Sequence, residues 1–379
     1  MLRSLRLRVQ GLREPADAGA TEVVERFVAV QSQEFLPAQW GIAARVPADR
    51  RPDAATLARS IDSGEILRTH VLRPTWHFVG RADARWLMEL SGSRVRQLQL
   101  SMLRSLGLDG AEGTRGVAVV ARALDGGHRT RAELGEALAQ AGFPPTGLGM
   151  IYVLMLAELE RVAISGVTAG KQRTYSAFDE RVPPSPPRSR EDALAELAAR
   201  YLASRGPASD RDFASWSGFT LTDCRRAIAA AVDASAGRLA SVEVDGAAHW
   251  FDAAVVARAT TGGDGDGEER HVVDLLQAYD EYIMGYAPPR AYLLPAGRAP
   301  STAPEFPLHA VAVDGVLAGR WAPVVDERRA ILRLVPWRAF TPAEERSLAA
   351  SVAELERFLG VPVTIERDES APSGGPASS

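Results

Sequence analysis

The sequence predicts a helix-rich α+β fold in which several units follow one another along the chain. Two observations support this class: long amphipathic segments alternate with pairs of short apolar runs, and the C-terminal part carries short alternating segments typical of strands. With 379 residues, the chain is also too long for one ordinary core, so two to four modules are expected.

The composition is that of a soluble globular protein, with 46% hydrophobic and 24% charged residues. The one cysteine, Cys224, excludes an intramolecular disulfide and any multi-cysteine metal site. The six histidines lack close metal-ligand spacing, so we expect neither a metal nor a cofactor. No leader-like apolar run opens the chain, and no stretch approaches about 18 uninterrupted apolar residues. A cytoplasmic protein without membrane contact is therefore expected.

The net charge of −4 argues against a uniformly basic nucleic-acid binder, but the charge is unevenly distributed. Residues 1–105 carry 16 Arg against 11 Asp and Glu, a net of +5, so the remainder is acidic. Nearly all positive charge is arginine, which a GC-rich genome explains as well as selection for phosphate binding. Lys171 is the single lysine, so a lysine Schiff base would have to use Lys171 or the α-amino group.

The first unit, residues 1–110, begins with an amphipathic segment from Thr21 to Phe35 that predicts a helix. Gln31 falls within its apolar stripe, where a buried amide needs hydrogen-bond partners. Gln33 lies about 200° further round an ideal helix, so both amides reach one ligand only if the helix ends near Ser32. Pro37 favours such an end. The plainer interpretation is that Gln31 is a satisfied core amide and Gln33 a solvent-facing one.

The rest of this unit predicts a helix over 54–61, a β segment over 66–80, and a helix capped by Asp83 with a further helical run over 95–106. In a continuous strand, alternate residues share a face. That alternation places a polar set on one side of the β segment, namely Thr69, Arg73, Thr75 and His77.

The second unit, residues 111–187, predicts three helices followed by a two-stranded hairpin, which is the element order of a winged helix. Its second helix starts with a capping box at Thr130 and Glu133. The hairpin tip, residues 170–173, would be a basic wing, although for an isolated hairpin an ordinary solvated turn is the simpler interpretation. The third unit, residues 188–258, repeats the order, with Ser209 capping its second helix.

The C-terminal unit, residues 270–368, carries strand signals over 309–313, 316–321 and 330–334, which suggest a small sheet or β-barrel. A capping box at Thr341 opens a closing helix with an apolar face. An acidic loop over 260–269 precedes this unit, and the tail 369–379 has a composition typical of disorder.

Three motifs together resemble the AlkZ/YcaQ-type winged-helix DNA glycosylases, in the same order over nearly the whole chain. They are Gln31-Ser32-Gln33, the run from Arg68 to His77, and the run from Asp280 to Tyr286. The resemblance implies tandem winged helices and a small β-barrel, arranged as a C-shaped clamp around duplex DNA. It also implies that the catalytic motif falls on Gln31 and Gln33, in the Gln-x-Gln form of the AlkZ branch.

That form carries a chemical expectation. Glycosidic cleavage passes through a cationic sugar, which a carboxylate stabilises well and a neutral amide only weakly. An amide pair suffices when the leaving base is already activated, as in cationic N7-alkylguanine. We therefore expect a monofunctional glycosylase in which Gln33 orients water and Gln31 holds that water or the sugar. The AlkZ branch implies bulky adducts or interstrand crosslinks from genotoxic natural products, hence DNA repair and antibiotic self-resistance in a bacterium.

The resemblance also raises the expectation that a polar surface meets double-stranded DNA carrying alkylated purines. The candidate residues are Arg68, Thr69, His70, Arg73, Thr75 and His77 of the β segment, with Lys171, Gln172 and Arg173 of the wing. The signature at Asp280, Tyr282, Gly285 and Tyr286 is interpreted as a hydrogen-bonded corner between domains. Trp40 is interpreted as a core aromatic rather than a lid over the lesion.

The alternative function is a winged-helix DNA-binding protein without catalysis, for example a regulator, or a degenerate member that binds lesions without cutting them. A regulator of this type is usually a short dimer with one winged helix, whereas this chain predicts three such units. A clamp of this size would act as a monomer, associated with the nucleoid when it acts on DNA.

Overall fold

A computed structural model of the chain describes residues 2–17, 19–261, 271–295 and 309–368. Within these ranges no helix is long and apolar enough to cross a membrane. The N-terminal part packs helices around a three-stranded sheet of order β1-β3-β2, so β1 is an edge strand. Its elements are α1 Leu2–Val9, α2 Ala20–Phe27, β1 Ala29–Gln31, α3 Phe35–Ala43, α4 Ala54–Asp62, β2 Ile66–His70, β3 Trp76–Gly80, α5 Arg81–Leu98 and α6 Leu100–Ser105.

The predicted helix from Thr21 to Phe35 is wrong in its second half. Helix α2 ends at Phe27, Val28 has a positive φ of 66°, and the chain continues as β1. All residues of the segment 28–31 are buried. A strand buried on both faces is an unbroken apolar run, which periodicity cannot distinguish from a buried helix. Gln31 is therefore buried, as predicted, but it lies at the end of an edge strand.

The β segment predicted downstream of α4 is a hairpin rather than one strand. Leu72 turns the chain between β2 and β3 with a φ of 62°. Thr69 and His77 are cross-strand partners and share a face, as predicted. Arg73 and Thr75 lie in the connection instead. The alternation of polar and apolar side chains continues through this connection, so periodicity alone does not reveal it.

Asp83 is not the cap of α5, because that helix already begins at Arg81, with Gly80 at its N-cap. The Asp83 carboxylate accepts from Trp86 Nε1 at 2.9 Å and from two Arg200 nitrogens at 2.6 and 2.7 Å. It therefore ties the first turn of α5 to a later helix.

The next two parts have the predicted order of three helices and a hairpin. The first contains α7 Ala111–Leu124, β4 Arg129–Thr130, α8 Arg131–Gln140, α9 Gly147–Leu159, β5 Ala163–Ser165, β6 Thr174–Ala177 and α10 Phe178–Arg181. The second contains α11 Arg190–Arg205, α12 Asp210–Ser217, α13 Leu221–Ala234, β7 Leu239–Val244, β8 Ala247–Asp252 and α14 Ala253–Thr261. The capping boxes predicted at Thr130 and Ser209 are both formed.

The C-terminal part is an open sheet, so the predicted β-barrel is not formed in the described residues. Its elements are β9 Val273–Leu276, α15 Glu281–Met284, a 3₁₀ turn Ala291–Leu293, β10 Ala310–Val313, β11 Val316–Val325, β12 Ala330–Pro336, α16 Pro342–Leu359 and β13 Val363–Arg367. The strand order is β13-β12-β11-β10-β9. Helix α16, opened by the predicted capping box, covers one face with Leu348, Val352, Leu355 and Phe358. A sheet whose apolar face is covered by a helix does not need to close on itself.

Two predictions fall outside the described residues. Of the acidic loop at 260–269, only Thr260 and Thr261 belong to the described chain, where they end α14. The tail 369–379 is outside it altogether.

One hydrophobic cluster joins the N-terminal sheet to the third part of the chain. It runs from Ala29 and Val79 in the sheet to Leu197 on α11 and Trp216 on α12. Because β1 packs into this shared cluster, its position is fixed by helices that lie far away in sequence.

Candidate active site

Gln31 occupies the last position of β1, opposite His77 of β3. Cross-strand partners have Cβ atoms about 4.5–5.5 Å apart on one face of a sheet, so these two side chains are neighbours. The ladder extends one residue further, since the N–H of Ser32 donates to the carbonyl of Trp76 at 2.8 Å. Gln33 follows at a bend just beyond the strand, and its side chain, like that of Gln31, contacts the β2–β3 hairpin. Gln31 and Gln33 are thus not separated as they would be on a helix.

Both glutamines contact the β2–β3 hairpin through their carbonyl oxygens. Oε1 of Gln31 accepts from Arg73 Nη2 at 2.5 Å, and Oε1 of Gln33 accepts a long hydrogen bond of 3.4 Å from the N–H of Trp76. Gln31 is 2% exposed, while Gln33 is half-buried. Neither amide nitrogen has a protein partner within the described chain, so both remain available as donors to a ligand.

The outer edge of β1 is closed by a buried ion pair instead of a further strand. Arg205 of α11 donates to the carbonyls of Phe27 and Ala29, both at 3.1 Å. Glu281 of α15 accepts from the N–H of Gln31 at 3.1 Å. Arg205 and Glu281 bind each other at 2.6 and 2.9 Å, and their side chains are at most 2% exposed. The pair satisfies backbone groups that an edge strand leaves open, and it thereby holds Gln31 in place.

Sequence reasoning missed this pair as part of the site. Glu281 stands beside Asp280 inside the signature that was singled out, which is the signal that could have found it. Arg205 gave no signal, because an arginine near the end of an amphipathic helix is usually a solvated residue.

The electrostatics on the His77 side of the site favour a neutral imidazole. His77 is completely buried, and its Nδ1 lies 2.9 Å from the carbonyl oxygen of Thr75. Burial first, and the nearby charge of Arg73 second, lower the pKa of His77 well below its ordinary value. Burial also lowers the pKa of Arg73.

The site concentrates polar atoms that have no partner. Eight buried side-chain nitrogen or oxygen atoms in the described chain lack a hydrogen bond, and four of them lie here. They are Ser32 Oγ, Arg73 Nε, Thr75 Oγ1 and His77 Nε2. Since buried polar groups in proteins are nearly always paired, a cluster of exceptions indicates a place that binds a ligand or water.

Arg68 and Arg173 lie side by side next to the glutamine segment. Arg68 donates to the carbonyl of Ser32 at 2.9 and 3.2 Å, and its guanidinium lies 4.4 Å from the centroid of the Trp76 ring. The guanidinium of Arg173 lies 4.6 Å from the Phe35 ring centroid. Burial and the charge of Arg173 lower the pKa of Arg68 to about 10. Neither arginine has an ion-pair partner among the residues that the structure describes, which favours an anionic ligand.

Thr69 and His70 face the protein interior. Both are buried and bond to Glu158 of α9, at 3.2 Å from Thr69 Oγ1 and 2.6 Å from His70 Nδ1. The His70 ring also packs on Trp76 at 4.7 Å between centroids. These residues join the N-terminal sheet to the second part of the chain.

The predicted wing is an exposed turn that connects two regions. Its residues Lys171, Gln172 and Arg173 are all exposed. Lys171 forms an ion pair with Glu327, in the turn between β11 and β12. Arg173 contacts Phe35, two positions beyond Gln33, so the fold brings the wing near the glutamines despite their distance in sequence.

The signature at 280–286 forms the predicted hydrogen-bonded corner. Asp280 caps α15 and binds Arg45 at 2.7 and 3.0 Å. Tyr282 donates to the carbonyl of Gly315, and the Tyr286 hydroxyl donates to the carbonyl of Arg205.

Trp40 is a core residue, as predicted. Its ring is 4% exposed and packs against Phe358, and its Nε1 donates to the carbonyl of Leu275 at 2.8 Å. In the four described ranges, no three His, Cys, Asp or Glu side chains converge to hold a metal ion.

Comparisons with known proteins agree with this architecture. The sequence model of a family described as DNA glycosylase AlkZ-like matches residues 24–358. Among solved structures, the DNA glycosylase AlkZ of Streptomyces sahachiroi superposes with a TM-score of 0.73 and 21% sequence identity, covering 96% of this chain and 98% of that chain. At this identity the likeness shows a shared fold. No curated protein matches the sequence. Because the family match spans most of the chain and includes the glutamine segment, the protein belongs to the AlkZ-like DNA glycosylases.

Proposed function

We propose that this glycosylase hydrolyses the N-glycosidic bond of N7-alkylguanine in duplex DNA. One observation carries the proposal: the side chains of Gln31 and Gln33 lie against one hairpin, and no carboxylate of the described chain contacts either side-chain amide. The carboxylate near Gln31, that of Glu281, contacts its backbone and is neutralised by Arg205.

Such a site suits a substrate that is already activated. Breaking the C1′–N9 bond leaves positive charge on the sugar, and a neutral amide stabilises it only through its carbonyl dipole. Alkylation at N7 places a positive charge on guanine, which then departs as a neutral base without needing a proton. Normal bases and neutral lesions lack this advantage, so the amide pair favours N7-alkylpurines.

The two glutamines have separate roles in this proposal. Gln33 is half-buried and orients the hydrolytic water, while the more deeply buried Gln31 holds that water or the sugar. A carbonyl oxygen has two lone pairs, so each glutamine can accept a water hydrogen in addition to its present bond.

DNA contacts are proposed for the exposed and half-buried cations around this segment. Arg68, Lys171 and Arg173 are proposed to contact phosphates, with the neutral Gln172 beside them at the wing, and a clamp of this kind would act as a monomer. Thr69 and His70 support the sheet through Glu158, and Arg73 positions Gln31. Thr75 is half-buried like Arg73, whereas His77 is completely buried.

Arg173→Ala is expected to reduce the salt dependence of duplex binding. The slope of log K against log salt should fall in magnitude by about 0.9, because the variant neutralises one phosphate fewer. Fluorescence anisotropy at several salt concentrations measures the slope. The matched control is Arg346→Ala, which removes an exposed arginine from α16. An unchanged slope in Arg173→Ala would argue against a phosphate contact by the wing.

The test of the function uses two duplexes, one with a single N7-methylguanine and one with a bulky N7 adduct, followed by alkaline strand scission. The expected result is cleavage by the wild-type protein and none by the double variant Gln31→Ala/Gln33→Ala. The resemblance to the AlkZ branch extends the proposal to bulky adducts and interstrand crosslinks, as in self-resistance to genotoxic natural products. Preferential cleavage of the bulky duplex is therefore expected.

Tight binding without cleavage of either duplex would instead favour a non-catalytic lesion binder. We also propose that the enzyme has no lyase activity, because its one lysine, Lys171, is exposed at the wing tip and makes no contact with Gln31 or Gln33 within the described chain. Borohydride trapping of a covalent complex through Lys171 would contradict that proposal.

A further inference from the structure

His77 is held in one tautomer by the fold. Its Nδ1 lies 2.9 Å from the Thr75 carbonyl oxygen, and a carbonyl oxygen can only accept. Nδ1 must therefore carry the proton in the neutral ring. Nε2 is then an unprotonated acceptor, and it has no hydrogen-bond partner in the described chain. Leaving such an acceptor buried and unpaired is unfavourable, so a donor is expected to occupy the position.

The unpaired nitrogen lies beside the proposed catalytic amides. His77 is the cross-strand partner of Gln31, on the same face of the sheet. Gln33, Arg73 and Thr75 are half-buried, whereas His77 is completely buried. The nitrogen is therefore shielded from bulk water, while polar side chains of the same hairpin and glutamine segment are partly exposed.

The two glutamine carbonyls are weaker candidates for removing a proton. Each already accepts a hydrogen bond, from Arg73 and from the N–H of Trp76. An amide oxygen can orient water, but it cannot keep a proton near neutral pH. An imidazole nitrogen can do both.

We propose that His77 is the general base of the reaction, with Nε2 accepting the proton of the water that Gln31 and Gln33 position. This inference rests on the proposed function. The C1′–N9 bond breaks, and its electron pair goes to N9, so that the alkylated guanine leaves as a neutral base. The water oxygen bonds to C1′, and one of its protons passes to Nε2. The resulting imidazolium releases that proton to solvent after the products leave.

The surroundings of His77 set its pH behaviour. Arg73 in the hairpin connection, His70 on β2 and Arg205 on α11 all disfavour the protonated ring, in addition to burial. His70 is paired with Glu158, and Arg205 with Glu281. The pKa of His77 is thereby lowered, so the base stays unprotonated through neutral pH. A weak base suffices, because water bonded to a cationic sugar is strongly acidic.

The test compares single-turnover excision from N7-methylguanine duplex by the wild type, His77→Gln and His77→Ala between about pH 4 and 8. Gln keeps an acceptor near the Nε2 position but cannot take the proton. We expect a wild-type rate that is flat through neutrality and falls only in acid well below pH 6.5, because burial and the neighbouring charges lower the pKa of His77 well below its ordinary value. His77→Gln is expected to lose about 100-fold in rate, to lack the acid limb, and to bind the duplex within threefold of the wild type. His77→Ala is expected to lose more.

A wild-type rate and acid limb in His77→Gln would overturn the inference while leaving the glycosylase activity in place. No excision by the wild-type protein would overturn both the proposed function and this inference. If the variants fail to fold, as circular dichroism would show, ¹⁵N NMR of the wild-type imidazole decides the matter. A neutral ring protonated at Nδ1 at pH 7 supports the inference, and a ring protonated at Nε2 overturns it.

Discussion

Gln31→Ala is expected to lower the single-turnover rate of excision by about 100-fold to 1000-fold, as removal of one preorganised hydrogen-bonding group from an active site does. The physical reason is positional. Gln31 is held from two sides, by Arg73 at its side chain and by Glu281 at its backbone N–H, so its amide is already oriented before substrate binds. Duplex affinity should stay within threefold, because Gln31 is a buried neutral side chain and is not one of the residues proposed to contact phosphates.

Rapid-quench kinetics with an N7-methylguanine duplex measures this rate, and anisotropy measures binding. Gln99→Ala is the matched control, since it removes a partly buried amide that is bonded to Tyr152 in another region. Equal decreases in rate in both variants, or a decrease in affinity that matches the decrease in rate, would contradict a catalytic role for Gln31.

Glu281→Ala is expected to destabilise the protein by about 3–5 kcal/mol, since it leaves Arg205 buried without its partner. Arg205 and Glu281 are both at least 98% buried, and they close the edge of β1. The double variant Arg205→Met/Glu281→Leu should recover only part of this stability. Neither charge then remains buried, but the carbonyls of Phe27 and Ala29 and the N–H of Gln31 lose their buried partners. Urea denaturation followed by tryptophan fluorescence reports the change.

Glu136→Ala serves as the control for this prediction, because Glu136 is exposed on α8 and its removal should change stability by no more than about 0.5 kcal/mol. A Glu281→Ala protein as stable as this control would show that the pair contributes little. If the double variant regains stability but not excision, the pair also serves to position Gln31.

Local signals predicted much of the fold correctly. Capping boxes at Thr130, Ser209 and Thr341 marked helix starts, because side chain and backbone satisfy each other within four residues. The order of three helices and a hairpin likewise followed from periodicity in two successive parts of the chain. These features depend on neighbours in sequence, so the sequence displays them.

The sequence predictions failed where residues distant in the chain decide the local structure. The segment from Ala29 to Gln31 is a strand because it pairs with β3 and because Arg205 and Glu281 satisfy its other edge. Nothing within the segment itself indicates those partners. The C-terminal sheet stays open for a similar reason, since α16 returns to cover its apolar face.

The sequence by itself determined the family, the glutamine motif, the burial of Gln31 and the corner at 280–286, because these depend on residue identities and short spacings. Only the tertiary structure decided that Gln31 and Gln33 lie against one hairpin, that Arg205 and Glu281 hold the strand, and that His77 faces Gln31 with an unpaired nitrogen. Such contacts join parts of the chain that are separated by tens to hundreds of residues. The geometry of these contacts follows from the packing of the whole molecule, and local sequence patterns do not predict that packing.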